Sequence, residues 1–61
     1  MELLDVVEST KALPELGLAE GRRGTVVEEL GEDIVLVEFA KAGGMAFCIA
    51  AVPVESLRRA G

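Results

Sequence analysis

The sequence predicts an all-β fold, a small antiparallel barrel of four to five strands with one long packed early loop. Short runs rich in branched apolar residues recur along the chain and are separated by Gly, Pro and acidic clusters, which is the pattern of strands and turns. The clearest run, Ile34 to Ala40, alternates Val35, Val37 and Phe39 with Ile34, Leu36, Glu38 and Ala40, the period of two of a half-buried strand. The one stretch with helical candidates, Glu8 to Glu20, contains Pro14 and Gly17, whose interior placement would cost a helix about 3 and about 1 kcal/mol. With 61 residues the chain buries only about 60% of its unfolded surface, so residues 1–61 form a single domain around one core, without room for a deep cleft.

The elements follow in order. Leu3 to Val7 is a first strand, interrupted at Asp5 and bounded by the polar stretch Glu8 to Lys11. Ala12 to Gly21 mixes Pro14, Gly17 and Gly21 with Leu13, Leu16 and Leu18, a loop with three apolar anchors that packs down. After Gly21 a second strand, Arg22 to Glu29, is entered through a glycine-dependent bend, and Gly31-Glu32-Asp33 closes a turn into the Ile34–Ala40 strand. Lys41-Ala42-Gly43-Gly44 is a hairpin connection, because paired glycines supply the positive φ angles of tight turns. Met45 to Val52 returns as an uncharged strand, with Met45, Phe47 and Ile49 on one face and Ala46, Cys48 and Ala50 on the other. Pro53 ends it for want of an N–H, Val54 to Leu57 forms a turn or last strand, and Arg58 to Gly61 is expected to fray.

Composition narrows the function. Six basic against eleven acidic side chains give a net charge of −5, which opposes sequence-independent nucleic-acid binding. The chain has no His, Tyr or Trp, which removes the usual general base near neutral pH, the phenolic acid and the best stacking platforms. Cys48 is the only cysteine, so neither an intrachain disulfide nor a four-cysteine metal site forms within one chain. The first residues carry acids where a signal peptide would carry basic residues, so no signal peptide is expected, and the longest apolar run, Met45 to Val54, falls short of the roughly 20 residues of a membrane helix. The expected location is the cytoplasm, with no membrane partner and no cofactor.

The spacing of Leu-Leu-Asp-Val-Val at the first strand, Leu13-Pro14-Glu15-Leu16-Gly17-Leu18, Gly21-Arg22-Arg23-Gly24-Thr25-Val26-Val27, Val37-Glu38-Phe39 and Val54-Glu55-Ser56-Leu57 resembles the bacterial family called domain of unknown function 4926, from Leu3 to Leu57. That resemblance implies a stand-alone SH3-like barrel, more distantly similar to the KOW-type barrels of ribosome and transcription proteins and to the barrel of the nitrile hydratase beta subunit. It implies a companion of another protein and no catalytic residue. Two features depart from the family pattern: Phe47 stands where an aromatic, commonly Tyr, is expected, and the strand from Met45 to Val52 is more apolar on its outer positions.

Motifs with possible chemistry have structural readings. Gly21-Arg22-Arg23-Gly24 lacks the Lys-Ser/Thr of a phosphate-binding loop and enters a strand, so it reads as a bend. Glu28, Glu29, Glu32 and Asp33 read as a solvated acidic edge that would suit a basic partner and discourage sheet aggregation. Cys48 has no His, Lys or Arg beside it in sequence and reads as a small hydrophobe.

The surplus is apolar. An interior of Leu4, Val6, Val26, Val35, Val37, Phe39, Phe47, Ile49 and Leu57 fills a barrel this small, so further apolar residues are left for its outside, where a contiguous patch marks a contact surface. The expected function is protein interaction without catalysis, as a homodimer or with a separate protein. Its expected surface has Ile34, Leu36, Cys48 and Ala50 at the centre and Glu38, Glu32 and Asp33 on the rim. The alternative is a KOW-like nucleic-acid-binding barrel using a strip of Arg22, Arg23, Arg58 and Arg59, and a third reading is an accessory domain of a catalytic chain.

Overall fold

A computed structural model describes residues 1–40 and 47–60. Five antiparallel strands form one sheet: β1 (Val6–Ser9), β2 (Arg23–Glu29), β3 (Ile34–Ala40), β4 (Phe47–Pro53) and β5 (Leu57–Arg59). Their order across the sheet is β4-β3-β2-β1-β5, with single 3₁₀ turns at Pro14–Leu16 and Val54–Ser56. The all-β class and the long early loop agree with the reading of the sequence. The expected hairpin at Lys41 to Gly44, together with Met45 and Ala46, lies outside the described residues. Among the described residues no helix is long and apolar enough to cross a membrane.

The core lies on the inner face of the curled sheet. Val7, Val26, Val35, Val37, Phe39 and Val52 are fully buried there, and Leu13, Leu18 and Leu57 close over them. The loop between β1 and β2 packs down as expected. Pro14 opens its 3₁₀ turn with φ already set, and Gly17 closes it in the left-handed conformation at φ 70°, donating its N–H to the Pro14 carbonyl. The amides of Leu13 and Leu18 each donate to the other's carbonyl, which brings both side chains under the sheet.

Ser9 fastens the base of that loop. Its backbone N–H donates to the Arg22 carbonyl, and its carbonyl accepts from Gly21 N–H. Its hydroxyl donates to the Ala19 carbonyl and accepts from Arg22 N–H, both at 3.3 Å, and the residue is fully buried. Ser9→Ala is therefore expected to cost about 1–2 kcal/mol in urea unfolding, because a buried acceptor and donor lose their partner. An unchanged midpoint would show that the hydroxyl does not hold the loop.

Four expectations are corrected. The first strand begins at Val6, because Leu4 has φ 70°, a left-handed angle that interrupts extension, and the ladder resumes beyond it. The inward residues of β1 are consequently Val7 and Ser9, while Leu4 is 70% exposed and Val6 also faces solvent. On β4 the expected faces are exchanged: register pairs Val35 with Val52, Val37 with Ala50 and Phe39 with Cys48, so Ile49 points outward. Arg58 and Arg59 do not fray but form β5 against Glu8 and Val7. The Phe47 side chain lies outside the described residues.

Candidate interaction surface

Strand register sorts the outward residues into rows. Val6, Thr25, Glu38 and Ile49 stand opposite one another across β1, β2, β3 and β4. Next to them Glu28, Leu36 and Ala51 form a second row, and Ile34 and Pro53 a third. A bulge at Val27, where Val26 pairs with Val37 and Glu28 with Leu36, brings Glu28 into that second row. The bulge is separate from the bend at the strand's entry, where Gly21 takes a left-handed φ of 83°.

Of the residues expected at the surface's centre, Ile34 and Leu36 lie on this outer face, half-buried between their neighbours, and Glu38 lies beside them. Cys48 and Ala50 do not. Both sit on the inner face and pack against the core, opposite Phe39 and Val37. Their places on the outside are taken by Ile49, 56% exposed, and by Ala51. The period of two was legible in β4, but a strand with no charge gives no sign of which half faces water. Only its register on β3 decides.

Glu32 and Asp33 are exposed in the turn before β3. The Leu30 and Gly31 amides both donate to the Ile34 carbonyl, which closes this turn, and the Asp33 carbonyl accepts from Val54 N–H. A hollow of about 390 Å³ is lined by Asp33, Pro53, Val54 and Glu55. Among the described residues no group of three or more His, Cys, Asp or Glu is placed to hold a metal ion.

The arginines are distributed differently from a strip. Arg23 and Arg58 flank Glu8 from the two strands beside β1, with Arg58 Nε donating to Glu8 Oε1 and Arg23 Nε 3.8 Å from Oε2. Arg59 Nε donates to Asp5 Oδ2 at 3.3 Å. Asp5 Oδ2 also accepts from Glu2 N–H at 2.8 Å, and that hydrogen bond, followed by Arg59, holds the Asp5 carboxyl below its ordinary pKa. Arg22 lies at the other end of its dipeptide, half-buried at the base of the early loop. The fold therefore brings two of the four arginines to one carboxylate and a third to another.

The outer face is a sheet surface with an apolar part toward β4 and a charge-paired part toward β5. No curated protein and no solved structure gives a significant match to this chain. A family model described as domain of unknown function (DUF4926) matches residues 3–59, nearly the whole sequence and all five strands. The chain belongs to the DUF4926 family.

Proposed function

We propose that this protein is an interaction module without catalysis of its own, and that it acts as a homodimer through the β4 side of its sheet. The observation that carries this reading is Ile49, a large apolar side chain 56% exposed on a strand without a single charge, with Ala51 and Leu36 beside it on the same face. Apolar surface of this kind on a small domain is stabilised by covering it, and a second copy is the commonest cover. The nucleic-acid reading has less support, since Arg23, Arg58 and Arg59 each face a carboxylate that offsets their attraction for phosphate.

Sedimentation equilibrium over a wide concentration range tests the proposal. The molar mass is expected to rise from the 6.4 kDa of one chain toward twice that value. A mass that stays at one chain throughout would overturn the homodimer and direct the search to a different protein partner.

A further inference from the structure

Resting on that reading, we infer that two copies join edge to edge, the free edge of β4 pairing antiparallel with β4 of the second copy so that two sheets become one. Among the described residues β4 is hydrogen-bonded to β3 alone, so the N–H and C=O groups directed away from β3 form an open ladder along Phe47–Pro53. Sheet edges are ordinarily kept apart by charged side chains, by an internal proline or by shortness. β4 has seven residues, no charge, and a proline only at its last position. The opposite edge has two of those protections: β5 is three residues long and two of them are arginine.

The occupant follows from charge and symmetry. Each chain carries a net charge of −5, so two copies repel one another except where their facing segments are neutral, and β4 is a strand of that kind. Antiparallel pairing of a strand with itself obeys a two-fold axis and closes at two copies. A β4 edge meeting a β5 edge would instead propagate as an open filament and would set an uncharged strand against Arg58 and Arg59. About the two-fold axis, Ile49 and Ala51 of one copy meet the same pair from the other on the outer face. Leu36, one strand further in, is then about 14 Å from its counterpart, three strand spacings of about 4.8 Å and beyond a Debye length of about 8 Å.

Those distances separate edge pairing from packing of one sheet face on another. Ile49→Lys, and independently Ala51→Lys, place two ammonium groups across the joint and are expected to weaken dimerisation by about tenfold or more. Leu36→Lys is expected to change it by less than about threefold, because the added charges are screened from one another. Circular dichroism checks that each variant is folded. In the unmodified chain, hydrogen exchange is expected to slow at alternate amides of β4 between Cys48 and Val52 as concentration carries the chain into the dimer. A dimer that leaves those amides unprotected, or that Leu36→Lys breaks as readily as Ile49→Lys, overturns edge pairing while self-association stands. A chain that is monomeric throughout overturns both.

Discussion

Phe39→Ala is expected to cost about 3–5 kcal/mol, the range for truncating a buried aromatic side chain. The residue is fully buried in β3, where its row across the inner face contains Val7, Gly24 and Cys48. It is one of only two aromatic residues in the chain, and the other large members of the core are Val and Leu. Repacking cannot refill the space easily, because branched side chains on paired strands have few alternative rotamers. A domain of this length has about 3–9 kcal/mol of total stability, so the loss is of the same size as the whole and much of the variant population should be unfolded in water. Far-UV circular dichroism during urea unfolding is the suitable observable, since no Trp or Tyr is available for fluorescence. Phe39→Leu, which leaves a smaller void, should keep a measurable transition. If Phe39→Ala costs less than about 1 kcal/mol, the core is not organised around this ring.

Residues such as Phe39 mark how far the sequence could be read. Ile34–Ala40 was legible as a strand with the correct inward face because Glu38 breaks its symmetry: one set of alternate residues includes a carboxylate and the other is wholly apolar. β4 has no such marker, so the alternation brackets the strand but leaves its faces interchangeable, and Cys48 and Ala50, expected outside, pack inward. The phase of β1 is hidden for a related reason. Val6 and Val7 are adjacent and equally apolar, and the residue that fixes the phase is Ser9, a buried polar group whose hydroxyl partners are 10 and 13 positions away. Its burial depends on contacts the loop makes only after folding. The ordering of Arg58 and Arg59 in β5 is likewise invisible locally, because they are held by Glu8 and Asp5 some fifty residues earlier, a distance no local pattern reports. On β3 the alternation alone puts Ile34, Leu36 and Glu38 on the outward side, where they lie, whereas Ile49 and Ala51 reach that side only through the register of β4 on β3.

Gly24→Ala is expected to lower stability by about 1–3 kcal/mol, the range for forcing an extra carbon into a packed interior. A Cβ at this position would lie 2.7 Å from Val37 Cγ1, 2.8 Å from Phe39 Cδ1 and 2.9 Å from the Glu38 carbonyl oxygen. The two side chains have some freedom to withdraw, but the carbonyl belongs to the strand that β2 pairs with. Moving it strains the β2–β3 ladder. Alanine offsets part of this cost by restricting the unfolded chain, a gain of about 0.4–1 kcal/mol at permissive sites. At Gly17 and Gly21 the same substitution meets open space and fails differently, through φ angles of 70° and 83° that an L-residue resists. A double-mutant cycle isolates the steric component at Gly24. Val37→Ala removes the nearest atom, so the double variant Gly24→Ala/Val37→Ala should be less destabilised than the two single losses added together, by at least about 0.5 kcal/mol. Full recovery is not expected, since the Glu38 carbonyl remains in place. Strict additivity in the cycle would mean that Gly24 and Val37 do not touch, and that the glycine serves the backbone of β2 instead of making room for the core residues of β3.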